Sequence, residues 1–218
     1  MKRKRKLSTR KRTALRRCGW LVAVVVLASV TGLYRFLPIQ AVWVMADLKD
    51  IQHPQVVERF YDGSIPVTRF ALHYLVDGDD AMMLCTAGYH PLIGWYDRGW
   101  CKAETWNGEP LHGGIYTHSQ GGEGMAWLFG RVDDGAIQSL TLERTVEPLE
   151  GEAYTEVWSI PREDLLEKNG KRYILMKLDG AAGEKEQESR ITWRLTGRAG
   201  GGQIVTAELA RQSWAALG

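Results

Sequence analysis

The sequence predicts a mainly β protein hung from a single N-terminal transmembrane helix, and three observations carry that reading. Residues Cys18 to Leu37 form a nearly uninterrupted apolar run. The chain ahead of the run holds ten Lys and Arg residues and no acidic one. From Ile65 onward the texture changes to short runs of β-branched and aromatic residues separated by Gly, Asp and Asn. Four stretches follow: a basic cytoplasmic tail at 1–17, a transmembrane helix at 18–37, a juxtamembrane helical segment at 38–63 and an extracytoplasmic β-rich domain at 64–218.

At ~1.5 Å per residue, a 20-residue helix reaches ~30 Å, the thickness of a bilayer's hydrocarbon core. The strongest part of the run, Leu21 to Ala28, has the length of a signal-peptide core. The apolar residues continue beyond it through Val30, Leu33, Phe36 and Leu37 without an Ala-x-Ala pattern, so the segment is expected to stay as a signal anchor. Arg35, the one charge inside the run, lies near its outer end, where a long side chain snorkels to the headgroups.

Charge sets the orientation. Cytoplasmic flanks of membrane spans retain Lys and Arg, so the basic tail is expected inside. Tail and Arg35 together carry +11. From Asp47 onward, 17 Lys and Arg residues stand against all 26 Asp and Glu, a balance of −9. The overall +2 hides this division and does not point to nucleic acid. A basic block directly before a span reads the anionic inner leaflet instead.

Pro38 marks a break after the span, and Ile39 to Asp50 keep helical spacing, with Val44, Leu48 and Ile51 at i, i+4 and i+7 and Trp43 suited to the membrane interface. Pro54 is expected to open a further helical turn from Gln55 to Tyr61, its apolar side made by Val56, Val57 and Phe60. Val67 to Val76 is then a strand, and Asp77-Gly78-Asp79-Asp80 turns it into Ala81 to Ala87.

Further strands are expected at Met125 to Val132, Ile137 to Glu143, Tyr154 to Ile160, Arg172 to Leu178, Arg190 to Thr196 and Ile204 to Leu209. In Arg190 to Thr196, Ile191, Trp193 and Leu195 alternate with polar residues, the period of a sheet with one buried face. Eight strands without an intervening helical pattern predict one antiparallel two-layer domain, either sandwich-like or a partly closed barrel.

The stretch from Cys85 to His118 reads as long irregular chain rich in Trp, Tyr and His, and a connection of that length is either functional or pinned down. Three chemistries compete for it. A Cys85–Cys101 disulfide would close a loop of about 15 residues and stabilise the fold by ~3 kcal/mol. Zinc favours thiolate and imidazole, which Cys85, His90, Cys101, His112 and His118 offer, but no Cys-x-x-Cys or His-x-x-x-His pair anchors the set. Finally, Trp95, Trp100 and Trp106, bordered by Asp97, Arg98, Glu104 and Asn107, could stack on a sugar or a peptide segment.

Trp127, Trp158 and Trp193 fall within strand patterns and are expected in the core. No Gly-x-Ser-x-Gly elbow and no phosphate loop is present, and no cofactor is implied. The expected role is non-catalytic binding or assembly at the cell surface with a protein or glycan partner. The alternative is an extracytoplasmic enzyme or zinc-binding protein using the Cys85–His118 loop.

Overall fold

In the computed structural model, which describes residues 9–61, 71–105, 108–120, 123–178 and 189–215, the end of the tail and the apolar run form one helix, α1 (Thr9–Val30). Its window Thr13–Val30 is long and apolar enough to cross a membrane, and none of it is buried against the rest of the chain. The helix stops seven residues short of the expected Leu37 because Gly32 takes a left-handed conformation, φ 70°, that ends it. Released carbonyls are recaptured locally: the Gly32 amide donates to Ser29 O at 3.2 Å and the Tyr34 amide to Ala28 O at 3.1 Å.

Helix α2 (Pro38–Leu48) begins with proline at its first turn, where a missing N–H costs nothing. The Leu37 amide donates to Gln40 Oε1 at 3.0 Å and closes this end. Ala41, Val42, Met45 and Ala46 form the buried stripe, and its small alanines let the helix lie close on the sheet beneath.

That sheet, sheet A, contains β1 (Gln55–Phe60), β2 (Leu72–Asp77), β3 (Ala81–His90) and β4 (Gly94–Glu104), antiparallel and in that order. The helical turn expected over Gln55–Tyr61 is thus a strand. A bulge between Val56 and Glu58 leaves Val57 without a partner and turns it toward the face that also takes Phe60. Two apolar residues three apart then share one face, which imitates helical spacing. The first residues of the expected Val67–Val76 strand lie outside the described residues.

Sheet B contains β5 (Leu111–Gln120), β6 (Glu123–Val132), β9 (Leu166–Lys168), β10 (Lys171–Leu178) and β13 (Ala210–Ala215). Its order is β13-β5-β6-β10-β9, and β13 is parallel to β5. Sheet C contains β7 (Ile137–Pro148), β8 (Tyr154–Pro161), β11 (Ser189–Ala199) and β12 (Ile204–Glu208), ordered β12-β11-β7-β8. Where two layers are expected, three sheets are found.

Side-chain packing stacks them. Leu75, Met82, Leu84 and Cys101 from sheet A meet Tyr116, Phe129 and Tyr173 from sheet B. On the other face of sheet B, Ile115, Leu128 and Ile174 meet Leu142, Trp193 and Leu195 of sheet C. Sheet A is likewise covered twice, since Met83 and Cys85 pack under α2. Double coverage erases the alternation of polar and apolar residues. For that reason the expected irregular stretch Cys85–His118 is in fact the end of β3, all of β4 and most of β5.

One buried ionic group ties sheet A to sheet B. Asp77, at the end of β2, accepts from Arg131 at 2.7 Å, Lys171 at 2.8 Å and the Tyr173 hydroxyl at 2.9 Å. Burial first, then the Asp77 charge, pushes the Tyr173 hydroxyl well above its ordinary pKa. Three donors on one carboxylate offset the cost of burying its charge.

Candidate functional site

A cleft of about 590 Å³ opens where the end of α2, the later half of β4, the start of β5 and the end of β12 come together. This volume lies in the range of sites that hold small ligands or short chain segments. Residues from segments far apart in sequence build it. Lys49, the C-cap of α2, donates its amide back to Met45 O and Ala46 O, which projects its side chain over β4. There the ammonium sits 3.6 Å from the centroid of the Trp100 ring, a cation–π contact. Lys102, two residues on, donates its Nζ to the Lys49 carbonyl at 3.1 Å and holds the helix end down.

Two lysines therefore stand along one side, and Asp50, Glu104, Glu109 and Glu208 supply the acidic lining. His112, 3% exposed, forms part of the floor, with Nε2 3.5 Å from Asp133 Oδ2. Asp133 is in turn held by Arg131, whose Nε lies 2.8 Å from Oδ1. No Ser, Thr or Cys is among the described residues that line the cleft, so the arrangement offers charge and an aromatic ring but no hydroxyl or thiol nucleophile.

Of the three tryptophans expected to form a platform, Trp100 lies in this cleft, with Lys49 already over its ring. Trp95 lies ~17 Å away along β4, at five residues and ~3.3 Å each. It meets the Tyr89 ring edge-on at 5.6 Å beside the β3–β4 turn. Trp106 lies outside the described residues. Trp95 and Trp100 are both half-buried on the α2 side of sheet A.

The Cys85–Cys101 bridge, one of the three chemistries offered for this stretch, is not formed, and both cysteines are buried thiols. Cys85 pairs in register with Trp100, and Cys101 with Leu84, so the two side chains leave sheet A from opposite faces. Cys85 Sγ donates to Tyr74 O under α2, while Cys101 Sγ donates to Ile115 O between the sheets. The zinc set fails to converge for the same reason, since His90 sits exposed at the β3–β4 turn and His112 at the opposite end of the strands. The His118 side chain lies outside what is described. Among the described residues no group of three His, Cys, Asp or Glu is placed to hold a metal ion.

Asp97, on β4, has a raised pKa because burial penalises its charge, against the lowering effect of the Gly99 amide, Lys49 and Arg35. Sequence reasoning missed Lys49, Lys102 and Glu208 as site residues. Each is an ordinary surface charge until the fold brings α2, β4 and β12 together, and no local pattern distinguishes it. The chain matches no protein-family model, no curated protein and no solved structure.

Proposed function

We propose that this chain is a single-pass membrane protein whose basic tail stays in the cytoplasm and whose acidic β domain, sandwich-like in its packing, stands outside. There it acts by binding a polar partner, a protein segment or a glycan, without converting it. The observation that carries this reading is α1, of whose apolar window from Thr13 to Val30 no residue is buried. A helix of that composition left bare in water would expose Trp20, Leu21, Val22 and Leu27 at more than 60% each, whereas a bilayer covers them all. The block of Lys and Arg before the helix supports the inside position of the tail. The cleft beside Trp100 supports the binding role through its size and the Lys and Glu groups that line it.

Alkaline carbonate washing of membranes from cells that express the full chain tests the anchor. Retention in the pellet is expected, and release into the supernatant contradicts it. A photo-crosslinking residue at position 208 tests the cleft. An adduct that disappears in Lys102→Glu, and is not formed from position 157 on the outer face of sheet C, is expected. Identical adducts from both positions, or none from 208, remove the binding role from this cleft.

A further inference from the structure

We infer that the tip of the β3–β4 hairpin is a second membrane contact, seated in the headgroup layer beside the end of α1, so that the domain stands end-on rather than swinging on a tether. The inference rests on α1 crossing a membrane and adds where the domain meets it. Leu92 and Ile93, at the tip, are 81% and 50% exposed. Surface residues of this kind occur singly in most proteins, but here they join a larger patch. The Arg35 amide donates to Ile93 O at 3.3 Å, and the Trp95 amide donates to Arg35 O at 2.9 Å. This short bridge fixes the tip against the segment that leaves α1, whose Leu33, Phe36 and Leu37 are also exposed.

Aromatic residues with polar ends surround the patch. The Tyr34 and Tyr89 hydroxyls share a hydrogen bond of 2.9 Å, the Tyr34 ring lies 4.6 Å from Phe36, and Tyr89 meets Trp95. Tyr and Trp concentrate at the membrane–water boundary, where one end of the ring is apolar and the other wet.

Two further observations single out lipid as the occupant. First, the stretch of α1 beyond its last charged residues, Arg16 and Arg17, leaves room at the outer leaflet. The 13 residues from Cys18 to Val30 span ~20 Å, less than the ~30 Å of a hydrocarbon core, so the apolar residues just beyond the helix are drawn toward the outer leaflet. Second, five of the seven amides in the non-helical segment from Thr31 to Leu37 are bonded inside the protein, which lowers the cost of bringing that chain toward lipid. Thr31, Gly32, Tyr34, Arg35 and Leu37 all donate to partners within the protein. Gln40 adds a rigid strut, its Nε2 donating to Ser29 Oγ at 2.7 Å and joining α2 to the last turn of α1.

The other end of the same strand bears the opposite character. Asp79 and Asp80, in the turn before β3, lie ~30 Å from the tip along the strand, which puts acidic groups where water is. The cleft beside Trp100 then opens on the half of the domain away from the bilayer.

The test uses the full chain with Cys18→Ser, carrying an environment-sensitive fluorophore on one introduced cysteine, in phosphatidylcholine vesicles that contain nitroxide lipids. Val24→Cys, Leu92→Cys and Asp79→Cys are compared; all three positions are exposed, and the native Cys85 and Cys101 are buried. Position 24 is expected to be quenched most by a deep nitroxide. Position 92 is expected to be blue-shifted and quenched most by a shallow one, about 5–10 Å into the boundary region. Position 79 is expected to be unquenched.

If 24 is quenched while 92 behaves like 79, the tip inference is overturned and the anchor stands. If 92 is blue-shifted without nitroxide quenching, protein covers the tip instead of lipid, and the inference is again overturned. If 24 itself escapes quenching, the anchored reading fails and takes this inference with it.

Discussion

Cys85 and Cys101 lie on neighbouring strands one register step apart, Cys85 opposite Trp100 and Cys101 opposite Leu84, and their thiols point to opposite faces of sheet A. Disulfide geometry requires Cβ atoms about 3.5–4.5 Å apart and directed toward each other, which this register forbids. Burial also pushes the Cys85 thiol far above its ordinary pKa, so almost no thiolate forms at neutral pH. In the folded chain, therefore, only Cys18 is expected to react with a maleimide at pH 7.5, and all three thiols after unfolding. Loss of two thiols when the native chain is oxidised would contradict this.

Asp77 gathers Arg131, Lys171 and the Tyr173 hydroxyl in a setting where both Asp77 and Arg131 are at least nine-tenths buried. Replacing Asp77 with Ala removes the buried carboxylate shared by Arg131, Lys171 and the Tyr173 hydroxyl, and leaves Arg131 with Asp133 at the cleft side. A loss of about 3–5 kcal/mol is expected from urea unfolding, while Tyr173→Phe, which removes a single hydrogen bond, is expected to cost about 1 kcal/mol. Equal effects of the two substitutions would show that the carboxylate does not hold the sheets together.

The Tyr116 hydroxyl, held at 3.0 Å from Thr86 Oγ1, has its pKa pushed up to about 12, chiefly by burial. A tyrosine whose folded pKa lies above its unfolded value near 10 keeps its full contribution below pH 10. That contribution is then lost as pH rises through 12, by about 3 kcal/mol in all. Unfolding midpoints taken between pH 9 and pH 12 are expected to fall, and to fall less steeply in Tyr116→Phe. An unchanged slope in that variant would remove Tyr116 as the cause.

Gly94 adopts φ 77°, and a Cβ there would stand 2.2 Å from the Arg35 carbonyl oxygen. Gly94→Ala therefore combines backbone strain with a clash against the bridge to the α1 exit segment. A local cost of about 1–3 kcal/mol is expected. Its readout is faster hydrogen exchange at the Trp95 and Arg35 amides, with the amides of sheet C unchanged. Unaltered exchange at Trp95 would mean that the bridge does not hold the hairpin.

Much of the β domain was legible because sheet C keeps one face in water. Ile137 to Glu143, Tyr154 to Ile160 and Arg190 to Thr196 each fall within observed strands β7, β8 and β11, and Trp193 is buried, as its alternation implies. Strands β4 and β5 were not legible. Both faces of β5 are covered, and Gly113 and Gly114 sit where Phe129 allows no side chain, so no period of two survives. The short β9 and the parallel β13 carry too little pattern to be found.

The site was less legible than the fold. Trp100 was visible as a residue type, but the charge over its ring comes from Lys49, 51 positions earlier. Only the packing of α2 on sheet A connects the two. The opposite placement of Cys85 and Cys101 depends on a register that sequence spacing does not encode.

The central claim, a tail inside and a domain outside joined by α1, is tested most directly by an impermeant maleimide applied to intact cells that express the full chain with Cys18→Ser. With Asp79→Cys, labelling is expected in intact cells; with Ser8→Cys, labelling is expected only after the membrane is permeabilised. Labelling of position 8 in intact cells, or of position 79 only after permeabilisation, would contradict the account.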